Sequence, residues 1–135
     1  MPTTLAEVQA FLEREFPQAL VKCDIVSLQP QGCVVRYRVD QQDLRPGGTV
    51  AGPSMMAVAD FAVYVALLAH VGIEALAVTS QLNIHFLAKP NAQNDIIAEC
   101  RLLKTGKRLI VGEVNVFSEH KEEPIALVTA TYMRP

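Results

Sequence analysis

The amino-acid sequence predicts an α+β fold in which a curved antiparallel sheet wraps around one long buried helix. The first observation is the segment 53–70, a helix candidate whose side chains are apolar on every face, so the rest of the protein must enclose it. The second is the order of elements, because one helix and two strands precede this segment and four strands follow it. With 135 residues, half of them apolar, the chain fits one folded domain over residues 1–135.

The elements before the central helix have recognisable start and stop signals. Thr4 and Glu7 form a capping box, apolar residues then recur at helical spacing, and Phe16-Pro17 ends the helix. Two strands follow at residues 20–28 and 33–40, the second with alternating polarity, and residues 30–32 supply the turn between them.

The second half of the chain begins with a polar, glycine-rich loop over residues 41–52. Pro53 suits the first position of the central helix, with Gly52 as its N-cap. Four further strands are predicted at residues 76–88, 95–104, 108–118 and 124–133. Free sheet edges and apolar residues on both strand faces favour a homodimer or a dimer of dimers, hence a homotetramer.

Composition excludes several classes of function. The net charge is −2 with both signs interspersed, so no nucleic-acid partner is expected. Cys23, Cys33 and Cys100 lie in apolar strands without metal-ligand spacing, which indicates reduced core residues, a cytoplasmic location and no metal site. The first residues are unlike a secretory leader. Asp60 interrupts the longest apolar run, so no membrane span is expected.

Asp60 is the residue that points most directly to chemistry. It is the one charged residue between Ser54 and Ala69, and burying a carboxylate without partners costs several kcal/mol. The pattern leaves two interpretations open. Asp60 is either a functional carboxylate or a structural one, satisfied by Tyr64 one turn further on or by a cation from a loop.

The glycine-rich loop favours the functional interpretation. Gly47, Gly48 and Gly52 let the backbone approach a ligand closely, although a glycine pair also forms ordinary turns. The start of the helix offers free N–H groups and the positive end of its dipole, which would stabilise an oxyanion. Asp60 follows two turns later on the same helix.

These residues resemble the hot-dog thioesterases of the phenylacetate-degradation type. The run RPGGTVAGP at residues 45–53, with Asp60 as the seventh residue after it, is similar to their pattern N-P-x-G-T-x-H-G-G, then seven residues to Asp or Glu. The run VTSQLNIHFLAKP at residues 78–90 and GKRL at residues 106–109 also resemble the family. The resemblance extends from about residue 20 over nearly all the chain, and it implies a hot-dog fold and hydrolysis of acyl-CoA without a cofactor.

The resemblance also implies a set of site residues. Asp60 matches the catalytic carboxylate, and Gly52 matches the glycine whose N–H polarises the thioester carbonyl. Arg45 takes a position usually held by Asn or Gln, and Thr79 matches a Ser or Thr that the dimer partner supplies beside the carboxylate. Ala51 and Pro53 depart from the family His and Gly. Gly48, Ala51, Lys89, Lys107 and Arg108 are candidates for substrate binding, the last two through coenzyme A phosphates, although they also fit a solvated hairpin turn.

The predicted function is therefore acyl-CoA thioester hydrolysis, with Asp60 as general base or nucleophile. The altered loop leaves a second hypothesis open, a non-catalytic acyl-CoA binding module or sensor. A hydratase or dehydratase is less favoured, because the loop before the helix carries no His beside a Gly or Pro.

Overall fold

A computed structural model describes residues 2–135 of the chain. The helices are α1 (Leu5–Glu15), α2 (Pro17–Leu20) and α3 (Gly52–His70), and a 3-10 turn covers Gln41–Asp43. The strands are β1 (Cys23–Gln29), β2 (Gly32–Tyr37), β3 (Leu44–Arg45), β4 (Thr49–Val50), β5 (Val78–Phe86), β6 (Ile96–Thr105), β7 (Leu109–Ser118) and β8 (Ala126–Met133).

Six strands form one antiparallel sheet in the order β1-β2-β6-β7-β8-β5, and β3 and β4 form a separate ladder just before α3. Alternate residues of β6, β7 and β8 are buried, and α3 packs against these strands and against β2. The predicted α+β architecture, one sheet around one central helix, is confirmed. The capping box of α1 is also present, because the Thr4 hydroxyl accepts from the Glu7 N–H and the Glu7 carboxylate accepts from the Thr4 N–H.

The start of α3 differs from the prediction in two ways. Its N-cap is Ala51, so Gly52 is the first helical residue and not the cap. The prediction that the chain encloses every face of this helix is also wrong. Residues 61–69 are all buried, but Pro53, Met56 and Ala57 are exposed and Asp60 is partly exposed. Residues three and four apart share one face of a helix, so these four form a single open stripe over its first turns.

The β1–β2 hairpin turns where the sequence predicted, but its glycine has a different use. Leu28 pairs with Cys33 across the hairpin. Gln31, not Gly32, takes the left-handed conformation in the turn, with a φ of 58°. Gly32 is needed because β6 passes close beneath it, and a Cβ there would lie 2.0 Å from the carbonyl oxygen of Cys100. All three cysteines are buried and free, in agreement with the prediction.

The length and composition of α3 also match those of a membrane-crossing helix. Its mean hydropathy is 1.6, but 67% of the apolar window is buried against the rest of the fold. Packing inside the sheet accounts for this apolar composition without a membrane.

Candidate active site

Two hydroxyl groups hold the carboxylate of Asp60 from the same side. The Thr79 hydroxyl, at the start of β5, donates to Oδ1 at 2.6 Å, and the Tyr132 hydroxyl, near the end of β8, donates to it at 3.0 Å. Tyr132 also donates to the backbone carbonyl of Asp60 at 3.1 Å. Among residues 2–135, no donor is recorded for Oδ2. One oxygen is therefore fixed by the fold, and the other remains available to a water or a substrate.

Thr79 reaches Asp60 within one chain, which corrects the expectation that a dimer partner supplies it. The reason is the sheet topology. β5 pairs with β8 at the edge of the sheet, and this pairing sets Thr79 directly opposite Tyr132. The two donors therefore stand side by side above the third turn of α3, where Asp60 lies.

Tyr132 is a site residue that the sequence analysis missed. It is 5% exposed, and its burial and then the charge of Asp60 raise its pKa far above the ordinary value. The phenol therefore stays protonated in the neutral range and donates its hydrogen bond there. Tyr64, expected as a possible partner of Asp60, instead donates to the carbonyl of Ala75 at 3.3 Å and stacks on the Tyr132 ring.

Two neighbouring cavities lie beside Asp60. The larger, about 480 Å³, is bounded by α1 and by the segment 75–79, and the smaller, about 310 Å³, extends towards Lys22 and Tyr37. Both are lined by Phe16, Asp60, Tyr64 and Tyr132. Aromatic rings thus surround the carboxylate, and this setting suits an apolar acyl group whose carbonyl carbon is placed next to Asp60.

The glycine-rich loop forms a turn between β3 and β4. Gly47 and Gly48 have φ values of 95° and 76°, and the Gly48 N–H donates to the Arg45 carbonyl at 3.0 Å. Pro46 followed by a glycine of positive φ is typical of a type II turn. An ordinary turn therefore accounts for Gly47, and a ligand is not needed to explain it.

Gly52 has a different reason to lack a side chain. A Cβ at this position would lie 3.0 Å from the ring of Phe86, which covers the first turn of α3. Its N–H belongs to the first four amides of the helix, which have no intrahelical acceptor. Arg45 and Lys89 stand nearby, and together with Gly52 and Phe86 they line a cavity of about 470 Å³. This cavity has the positive character that a developing oxyanion or a phosphate requires.

Within one chain, the two halves of the predicted site do not meet. Gly52 and Asp60 are eight residues apart on α3, about 12 Å along the helix axis. Asp60 and Thr79 line the cavity of about 480 Å³, whereas Gly52, Arg45 and Lys89 line the cavity of about 470 Å³ at the start of α3. Gly48 and Ala51 belong to the loop beside this cavity at the start of α3, but neither lines it.

Lys107 and Arg108 occupy the exposed β6–β7 turn. This turn lies at the Asp60 end of the sheet, because the Arg134 N–H donates to the Arg108 carbonyl at 2.7 Å and Leu109 pairs with Met133. Both side chains are free of ion pairs among residues 2–135. Their charges are therefore available to an anion at this end of the sheet.

A buried carboxylate, Asp43, fastens the loop to the fold. Oδ1 accepts from the hydroxyls of Tyr37 at 2.5 Å and Ser54 at 2.9 Å, and Oδ2 accepts from Lys22 Nζ at 2.7 Å and the Asp40 N–H at 2.9 Å. Burial raises the pKa of Asp43, but the hydrogen bonds, that of Lys22 first, lower it by more, to about 2. The sequence analysis missed this residue because an Asp in a polar loop carries no sign of burial.

Comparisons with known proteins agree with this architecture. The thioesterase superfamily matches residues 47–125, more than half of the chain. A protein from Silicibacter sp. TM1040, assigned as a thioesterase, is 45% identical over 96% of this chain and 90% of its own, with a TM-score of 0.88. No match was found among curated protein sequences.

Two more distant structures show likeness of fold alone. The E. coli PaaI protein, from the phenylacetic acid degradation operon, is 22% identical over 96% of this chain and 94% of its own, with a TM-score of 0.77. A hypothetical thioesterase from Streptococcus pneumoniae, solved with coenzyme A, is 15% identical over 94% and 96%, with a TM-score of 0.78. The predicted hot-dog fold is thus confirmed, and the chain belongs to the thioesterase superfamily.

Proposed function

We propose that this protein is an acyl-CoA thioesterase in which Asp60 activates the attacking water. The observation that carries the proposal is the carboxylate itself. Thr79 and Tyr132 both donate to Oδ1, no donor is recorded for Oδ2 within residues 2–135, and an aromatic cavity adjoins it. A general base needs this combination of fixed orientation and one free oxygen.

The reaction follows from these positions. Water loses a proton to Asp60 Oδ2 and attacks the thioester carbon, and the negative charge that develops on the carbonyl oxygen is stabilised by the Gly52 N–H. The tetrahedral intermediate then breaks its C–S bond, and the thiolate of coenzyme A leaves and takes up the proton that Asp60 accepted from water, which restores the carboxylate. In the alternative route, Asp60 attacks the thioester itself, and water hydrolyses the resulting anhydride.

This chemistry requires two copies of the chain. A thioester carbonyl cannot contact Gly52 and Asp60 of one copy, which are about 12 Å apart along α3. If two copies pack with their α3 helices antiparallel, Gly52 of one copy approaches Asp60 of the other. Two features support such a homodimer. One is the open stripe of α3, and the other is the edge strand β5, in which no residue is buried. We extend this proposal to a dimer of dimers as the second possible assembly.

Coenzyme A is the proposed carrier of the acyl group. The streptococcal structure with coenzyme A has the same fold. In this chain, exposed cations lie near the Gly52 cavity and at the Asp60 end of the sheet. Arg45 and Lys89 flank the Gly52 cavity, while Lys107 and Arg108 lie at the Asp60 end of the sheet. Each can contact a phosphate group, Arg as a planar fork and Lys as a point charge.

A binding module without turnover is the second candidate. One observation favours it. Pro53, the second residue of α3, has no N–H, so the start of this helix offers one oxyanion donor fewer than a helix without proline. This candidate predicts saturable acyl-CoA binding without release of thiol.

The test is release of free thiol from a panel of acyl-CoA thioesters by the wild type and by Asp60→Asn. We expect kcat to fall by about 10² to 10⁴-fold in the variant, because the general base is lost. Folding should be retained, because Asn can still accept both hydroxyl hydrogen bonds and carries no charge. Undiminished hydrolysis in Asp60→Asn, or binding by the wild type with no release at all, would exclude the proposed mechanism.

A further inference from the structure

The hydrogen bonds of Asp43 reach Ala51 and Ser54, which lie on either side of the Gly52-Pro53 pair. On one side, the Ala51 N–H donates to the backbone carbonyl of Asp43 at 2.6 Å. On the other side, the Ser54 hydroxyl donates to Asp43 Oδ1 at 2.9 Å. Gly52 lies between these anchors, so the two hydrogen bonds restrict the direction of its amide.

From these two hydrogen bonds we infer that Asp43 is a positioning residue, which fixes the direction of the Gly52 N–H towards the oxyanion. The inference rests on the proposed function, in which Gly52 is the oxyanion donor. It adds a residue that touches neither substrate nor reacting atoms and acts only through the loop.

The anchor is itself fixed to the sheet. The Tyr37 hydroxyl, at the end of β2, donates to Asp43 Oδ1 at 2.5 Å, and Lys22 binds Oδ2 at 2.7 Å just before β1 begins. Asp43 is 5% exposed, so water does not compete for these bonds. Asp43 therefore ties the loop position to the β1–β2 hairpin.

The start of α3 needs such an external anchor. The N-cap residue is Ala51, whose side chain cannot accept a hydrogen bond, and Pro53 has no N–H. In most helices the N-cap side chain fixes the first turn. Here Asp43 does so from outside the helix through Ser54, and its negative charge also lies at the positive end of the helix dipole.

Two variants test the inference, and each changes different hydrogen bonds of Asp43. Ser54→Ala removes the bond on the helix side and leaves the carboxylate in place. Asp43→Asn replaces one acceptor oxygen with an NH2 group, so either Lys22 and the Asp40 N–H or the two hydroxyls lose their acceptor. We expect kcat to fall about tenfold in Ser54→Ala and about 10 to 100-fold in Asp43→Asn, with KM changed less than about threefold, because a displaced oxyanion donor affects the transition state more than the ground state.

Amide hydrogen exchange gives a readout that does not depend on activity. Exchange of the segment 44–52 should accelerate about tenfold in both variants, because the loop opens more often once an anchor is lost. The matched control is Asp95→Asn. Asp95 also accepts from a backbone N–H, that of Val39 at 2.9 Å, and pairs with Arg36, but it does not touch the loop. It should change neither kcat nor the exchange of this segment.

Each result has one interpretation. If Asp60→Asn is inactive while folded Ser54→Ala and Asp43→Asn both keep the wild-type kcat, the inference is wrong and the proposed function stands. If Asp43→Asn does not fold, Ser54→Ala decides by the same two measurements. If the wild type releases no thiol from any substrate, the proposed function fails, and unchanged exchange in Ser54→Ala would then overturn the positioning role as well.

Discussion

The contribution of Asp43 to stability should depend on pH in a way that the structure specifies. The pKa of Asp43 is about 2 in the folded protein, against an ordinary value of 3.8. Because the folded-state pKa is the lower one, the carboxylate stabilises the fold above pH 4, and this stabilisation is lost as the pH falls through 4 towards 2. A difference of 1.8 pKa units corresponds to about 2 kcal/mol.

The perturbation is acidification of the wild type and of Asp43→Asn in parallel. Urea unfolding followed by circular dichroism gives the free energy of unfolding at each pH, at one fixed protein concentration because assembly also contributes to stability. The wild type should be the more stable protein at pH 7. This advantage should shrink by about 1 kcal/mol at pH 3 and by about 2 kcal/mol at pH 2.

Subtracting the variant from the wild type removes the titration of the other carboxylates that both proteins share. An advantage that stays constant from pH 7 to pH 2 would refute the reasoning, since it would mean that the four hydrogen bonds do not favour the ionised form. An advantage that grows on acidification would mean that burial outweighs Lys22 and the other donors.

Three other variants test separate parts of the structure. Gly32→Ala should lower the free energy of unfolding in urea by about 3 kcal/mol or more, because its Cβ would meet the Cys100 carbonyl at 2.0 Å. A loss below 1 kcal/mol would mean that the hairpin and β6 separate easily. Arg45→Asn should lower kcat/KM for acyl chains that end in a carboxylate about tenfold relative to neutral chains, because it removes the guanidinium that would bind the carboxylate with two hydrogen bonds. An unchanged ratio would place the guanidinium away from the acyl end. Met56→Glu, on the open stripe of α3, should reduce the mass measured by light scattering to that of a monomer, and an unchanged mass would assign the interface to another surface.

The sequence was a good guide to the elements and to Asp60. The central helix and the strands are predictable because their hydrophobic patterns are local, and a lone carboxylate among apolar residues is visible to inspection. Thr79 was found only through the family resemblance. Nothing in the sequence of β5 marks this hydroxyl as the hydrogen-bond partner of Asp60, which lies 19 residues earlier in the chain.

The parts that were missed depend on contacts between distant segments. Tyr132 alternates like any core residue of β8, and its role arises from a contact with Asp60 across 72 residues. Asp43 lies in a stretch that reads as a solvated loop, and only the fold brings Tyr37, Lys22 and Ser54 around it. The open face of α3 was missed because an apolar helix gives the same pattern whether its own chain or a second copy covers it.

The eight-residue interval between Gly52 and Asp60 has a genetic consequence if two copies share each site. A chain damaged at Asp60 and a chain damaged near Gly52 are each inactive alone. Co-assembled, they form a heterodimer in which one site carries both defects and the other carries neither. Random mixing makes half of all dimers heterodimers, so two null alleles together would restore about a quarter of full activity. Two alleles damaged at the same end of α3 would restore none.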